Sequence, residues 1–243
     1  MTDFIKKISE KYFLVFLVGS IALAVVIGLL LRKTSSGQAT SGEIAESNDA
    51  LKQSPVVVLN QEQITKIPKV TEDEHIRGKF DAPVTLIVYS DYECPFCGQY
   101  HFILVKLLNE YKENLRLVYR HYPLEDTHPA SPILAEASEC VNELGGSGAF
   151  WKFSDAVFEN KEALSDLNYA ADFLGVDSED LNQCFQSRKY KDKVQLVYEE
   201  GIKTGIRVTP STLVMNDKGE VWFIPGAYSY EDLKVVVEEA VGN

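Results

Sequence analysis

Cys94 and Cys97, in the run Cys94-Pro95-Phe96-Cys97, are two thiols spaced to toggle between a dithiol and a disulfide. The attacking species in disulfide exchange is a thiolate, so the first sulfur must ionise below its free value of about 8.5. A helix N-terminus favours that anion through its unpaired N–H groups and its dipole. Pro95 suits a first helical turn, where its missing N–H costs nothing. The dipole is worth roughly 0.3–2 kcal/mol, at most about 1.5 pKa units, so full ionisation needs further hydrogen bonds to the sulfur. The spacing predicts Cys94 as exposed nucleophile and Cys97, one turn on, as the more buried resolving thiol. No cofactor beyond the Cys94–Cys97 disulfide and no metal are expected. The competing reading is a module in which Cys94, Cys97 and a histidine grip a soft ion such as Cu(I), since C-x-x-C also serves metal sites.

The elements that must hold this pair can be read on either side of it. Pro83–Tyr89 is short, apolar and β-branched, which predicts a buried strand. After Cys97, apolar residues recur at Phe102, Ile103, Leu107, Leu108 and Tyr111, a helical stripe reaching about Lys112. Leu115–Arg120 is a second strand, completing a β-α-β unit. An all-helical stretch follows from about Pro129 to Thr204, broken at Gly145-Gly146-Ser147-Gly148, near Gly175 and around Ser187. Phe150, Trp151, Phe153, Val157 and Phe158 fall at helical spacing and read as core. Strands at Thr212–Met215 and Glu220–Ile224 flank the turn Asn216-Asp217-Lys218-Gly219, a hairpin signal. A closing helix spans Tyr230–Val241 with Ser229 as N-cap. Val208-Thr209-Pro210 stands just before the third strand, a junction where a cis-proline leaves backbone groups facing a ligand; the alternative is an ordinary trans proline.

The 243 residues allow one ordinary domain plus attachments. The first 33 carry five Lys/Arg against two acids, a net +3, so against −12 overall the rest carries −15. An acidic body of that size argues against nucleic acid, which needs a basic stripe. Tyr12 to Leu31 contains no charge, and at 1.5 Å per residue its 20 residues span about 30 Å, a bilayer core. The run is longer than a signal-peptide core and Arg32-Lys33 follows directly, which predicts an uncleaved anchor. The expected organisation is a cytoplasmic segment 1–11, a membrane span 12–31, a flexible tether 32–56 and a folded domain 57–243 on the extracytoplasmic face of the membrane, periplasmic or cell-surface. Outside the cytosol disulfides persist. Cys140 and Cys184, 44 positions apart, are then expected to pair, the alternative being two buried free thiols.

C-x-x-C after the first strand and Thr-Pro before the third together resemble the thioredoxin superfamily. The likeness is greatest to its DsbA-like branch. It is carried by Ala82-Pro83-Val84, Asp91-Tyr92-Glu93-Cys94-Pro95-Phe96-Cys97, Tyr122-Pro123-Leu124, His128-Pro129, Glu139-Cys140, Phe150-Trp151 and Thr209-Pro210-Ser211-Thr212, and it covers nearly everything from Val70 onward. The resemblance implies an α/β thioredoxin-like fold with an all-helical insertion at about 127–205, preceded here by the membrane helix and tether. It implies a cis Pro210 packed on the active disulfide, flanked by Pro95, Phe96 and Thr209, with the Thr209 backbone pairing an extended substrate. The activity it implies is oxidation of cysteine pairs in exported proteins, with reoxidation by a quinone-linked membrane thiol oxidase, DsbB-like or VKOR-like; a reductase or isomerase of the same fold is the alternative. Two departures stand out. Val88 occupies the place, six residues before Cys94, where the branch often carries an acid, and Val208 replaces a common glycine. His75, His101, His121 and His128 are scattered; His101, two turns beyond Cys94, reads as a surface or packing residue.

Overall fold

A strand covered on both faces must be apolar throughout, and the run Val84–Ser90 is buried at every position. It is the centre of the sheet in the computed structural model, which describes residues 56–160, 164 and 166–242. In chain order the described elements are β1 (Val57–Val58), α1 (Gln61–Ile64), β2 (His75–Gly78), β3 (Val84–Ser90), α2 (Pro95–Glu110), β4 (Leu115–His121), α3 (Ser131–Asn160), α4 (Leu167–Leu174), α5 (Ser178–Gln186), α6 (Lys191–Thr204), β5 (Ser211–Asn216), β6 (Val221–Pro225) and α7 (Tyr230–Val241). The sheet order is β1-β6-β5-β3-β4-β2. β3 pairs parallel with β4, from Val84↔Leu115 to Ser90↔His121, and antiparallel with β5. The parallel pair is joined by α2, as a parallel pair requires a crossover.

Alternation along β3 divides the interior. Val84, Leu86 and Val88 enter one core with α2, α3 and α7, whereas Ile87 and Tyr89 enter the other with Val118, Ile206 and Leu213. Phe150 is fully buried in the first, and Trp151, Phe153 and Val157 are nearly so. Among the described residues, four helices lie between β4 and β5. The first of them, α3, is kinked at Gly146, whose φ of 71° suits a residue without Cβ. Gly175 closes α4 in the left-handed conformation, a common helix ending. A disulfide joins Cys140 on α3 to Cys184 on α5, so the free-thiol alternative does not hold.

Two edges depart from the sequence reading. β2 was not anticipated because Asp73-Glu74-His75-Ile76-Arg77-Gly78 is charged and short; it forms by pairing with β4, and Gly78 fits where an added Cβ would meet Leu108 and the Leu115 carbonyl. At the other edge, β1 is only the two residues Val57–Val58, paired antiparallel with β6 at the start of the expected folded domain. The expected segment 1–11, the span 12–31 and all but the last residue of the tether lie outside the described residues. Among the described residues no helix is long and apolar enough to cross a membrane.

Candidate active site

β3 delivers the chain to the loop Asp91-Tyr92-Glu93, and Cys94 follows as N-cap of α2 with extended backbone and no side-chain capping bond. Pro95 opens the helix, so Cys94 sits against N–H groups with no helical partner. The Cys94 N–H donates to the Asp91 carbonyl at 3.2 Å, which closes the loop before the helix starts. Cys97 lies on the inner face of α2 at 1% exposure. Cys94 is 5% exposed, so the expectation of an exposed thiol is corrected. The cause is long-range. The chain just before β5 folds over the helix start and brings the Thr209 carbonyl within 3.6 Å of the Cys94 Sγ. The sulfur is reached through a cleft of about 510 Å³ lined by Glu93, Pro95, Gly98, Phe102 and Phe158. Phe96 stands at its rim, 58% exposed.

The two sulfurs are driven apart in acidity. The Cys94 thiol is lowered to about 6, chiefly by a hydrogen bond from Cys97. Burial opposes this, and the backbone N–H groups of Cys97 and Phe96 and the side chain of Thr209 support it. Cys97 is pushed well above its ordinary value, first by burial and then by the bond and charge it shares with Cys94. One sulfur is therefore an anion near neutrality while its neighbour keeps its proton, the division that attack and later resolution require. The helix end alone does not provide this; the hydrogen bonds around it do.

Thr209 contributes more than its backbone. Its hydroxyl is buried and makes no hydrogen bond, which costs free energy unless an acceptor develops beside it. The Cys94 thiolate is that acceptor. Sequence reasoning assigned Thr209 a backbone role alone, and a threonine rather than any residue before Pro210 was the missed signal. The Thr209–Pro210 peptide is cis, and the Pro210 carbonyl accepts from the Gly226 N–H at 2.8 Å. Val88 is buried in the core and Val208 is 47% exposed.

The histidines are each bonded to a carboxylate. His101 is buried and meets Asp155 at 2.7 Å, where Arg77 also binds. His128 meets Asp91. His75 and His121 converge on Glu139 Oε1 at 2.9 and 3.4 Å. Among the described residues these last three side chains, not the thiols, form the group whose donor atoms could hold a cation. The Lys193 ammonium already lies 2.7 Å from Glu139 Oε2, so the group is a closed ion-pair knot tying β2, β4, α3 and α6 together. The Glu139 carboxyl is held far below its usual range by those two histidines, against the burial that opposes it.

A family model described as thioredoxin matches residues 70–239. DsbA2 of Pseudomonas aeruginosa superposes with a TM-score of 0.60 at 24% identity, over 71% of this chain and 96% of that one. BdbD of Bacillus subtilis, in its oxidised form, superposes with a TM-score of 0.59 at 23% identity, over 70% and 94%. At such identities the likeness is one of fold. A protein of Salinispora arenicola named Na(+)/H(+) antiporter NhaA 1 is 31% identical over 176 residues, 72% of this chain and 26% of that protein. The chain thus spans about a quarter of the length of the curated relatives it matches.

Proposed function

The chain belongs to the thioredoxin family, and on that premise we propose that it exchanges disulfides with other proteins through Cys94 and Cys97. The observation that carries this reading is the placement of two adjacent thiols, Cys94 at a helix N-terminus within 3.6 Å of the Thr209 carbonyl beside the cis Thr209–Pro210 peptide and Cys97 buried one turn on; their opposed acidity follows from that placement. In the oxidised form a substrate thiolate attacks the Cys94 sulfur. The Cys94–Cys97 bond breaks and Cys97 leaves with the electron pair, taking a proton. A second substrate thiolate then attacks the substrate sulfur of the mixed disulfide, releasing Cys94 as thiolate and the substrate as disulfide. Two electrons pass from substrate to Cys94 and Cys97.

The oxidising direction is favoured by the same acidity. A stabilised Cys94 thiolate stabilises the reduced protein, and that makes the disulfide a strong oxidant. The substrates are exported proteins with cysteine pairs, and a quinone-linked membrane thiol oxidase, DsbB-like or VKOR-like, restores the disulfide. The proposed site of action is the extracytoplasmic face of the membrane, anchored by residues 12–31. The Cys140–Cys184 disulfide supports this, because such bonds persist where the surroundings are oxidising. Equilibration with glutathione tests the direction. A potential near the −120 mV of a strong oxidant, about 150 mV above thioredoxin, is expected. A value near thioredoxin's would replace the oxidase reading with a reductase.

A further inference from the structure

The loops that follow β3 and β4 are joined beyond the ends of the strands. Strand pairing closes at Ser90↔His121, and the Tyr122 N–H still donates to the Ser90 carbonyl at 2.9 Å. Past that point side chains take over. The Asp91 carboxylate, fully buried, accepts from the Glu93 N–H at 2.7 Å, the Leu124 N–H at 2.8 Å and His128 Nδ1 at 2.9 Å. Glu93 crosses the same gap, its Oε2 accepting from the Ala130 N–H at 2.6 Å. Leu124 and His128 are presented together because the Leu124 carbonyl accepts from the Thr127 and His128 N–H groups, folding 124–128 into a turn.

We infer that Asp91 and His128 form a positioning clasp that holds the Cys94 loop against the β4–α3 loop and so sets the reactivity of the Cys94 sulfur. A buried carboxylate is expensive unless its oxygens are bonded, and this one is bonded three times. The strands need none of those bonds, since their register is already fixed. What the bonds fix is the loop whose Asp91 carbonyl receives the Cys94 N–H, and therefore the aim of that sulfur at the N–H groups of Phe96 and Cys97 and at Thr209. His128 is the arm of the clasp that reaches the surface, its side chain 21% exposed. Among the described residues, the charged and titratable groups around Cys94 are Cys97 on α2, Tyr92, Glu93 and Glu159 along the cleft, and Asp91 behind the loop. Losing the His128 bond leaves the buried Asp91 carboxylate with one donor fewer and the loop freer to turn the sulfur away from its N–H groups. A sulfur so released is less well held as the thiolate.

The inference rests on the disulfide-exchange reading for its purpose, but its test does not need a substrate. The pH profile of Cys94 alkylation by iodoacetamide, in the otherwise intact reduced chain with Cys97→Ala, reads this one sulfur; the midpoint of that parent lies higher than in the protein with Cys97, whose hydrogen bond is gone, and the variants are compared with that parent. Replacing His128 by alanine should raise the midpoint by about one pH unit, a reaction about tenfold slower at pH 5 and unchanged well above the midpoint. His128→Asn, whose amide N–H can stand where Nδ1 does, should restore the parent profile. An alanine variant with the parent midpoint, or an asparagine variant that behaves like alanine, overturns the clasp. If the alanine variant does not fold, His128→Leu, which fills the space without a donor, takes its place with the same expectation. A protein that alkylates as expected but exchanges no disulfides would refute the function and leave the clasp standing.

Discussion

Replacing Thr209 by valine keeps the shape of the side chain and removes only the hydroxyl. In the reduced protein that hydroxyl has one acceptor in prospect, the Cys94 thiolate, because it is buried and otherwise unbonded. A hydrogen bond to a charged group is worth about 1.5–3 kcal/mol net. Sulfur is a soft acceptor and the cleft is open to water, so the lower end applies, about one pKa unit. From about 6, the Cys94 midpoint should therefore move to about 7. At pH 6 the thiolate fraction falls from about half to about a tenth, and alkylation slows about fivefold, with no change at pH 9. The oxidised protein should lose no stability and gain slightly, since an unbonded buried hydroxyl is removed. The assay is iodoacetamide kinetics against pH, with thiolate absorbance near 240 nm as an independent reading, and Thr209→Ser as the variant that retains the donor. An unmoved midpoint in Thr209→Val would refute the role of the hydroxyl.

Removing the Cys140–Cys184 disulfide by double alanine substitution should cost about 4 kcal/mol for a closed loop of 44 residues, read by urea unfolding. Alkylation of Cys94 should be unaffected, because the bond links α3 to α5 and not the site. The folded Cys94 value lies below its free value of about 8.5, so between pH about 6 and about 8.5 the unfolded reduced chain binds more protons than the folded one. The reduced form should accordingly gain stability over the oxidised form as pH rises through that window, and lose it as pH falls through 6. Above pH 9 the raised Cys97 works in the opposite sense. Urea curves of both forms across pH 5–9 check this, and a constant gap would contradict it.

The elements around the site were legible where local pattern decides. The β-branched run at Val84–Ser90 is a strand by its own composition, and the boundary error is one residue at each end. Ser229 caps α7 by accepting the Asp232 N–H, as its type and place suggest. The Asn216–Gly219 turn forms through Asn216 Oδ1, which accepts from the Lys218 and Glu220 N–H groups. β2 was illegible because its pairing with β4, and not its own charged sequence, makes it a strand. The burial of Cys94 was hidden for a related reason, since it depends on a segment 115 residues away. Asp91 and His128 were visible as residue types, but nothing in a single sequence shows that they meet.

Everything proposed for this chain depends on Cys94 being the sulfur that attacks and is attacked. With Cys97 replaced by alanine, reaction with a peptide disulfide should halt at a stable mixed disulfide, and mass spectrometry should place the peptide on Cys94. The reciprocal Cys94→Ala protein should react at Cys97 on the order of a hundredfold more slowly at pH 7, because that thiol is buried and keeps its proton. Equal rates at the two positions, or no adduct on Cys94, would contradict the account.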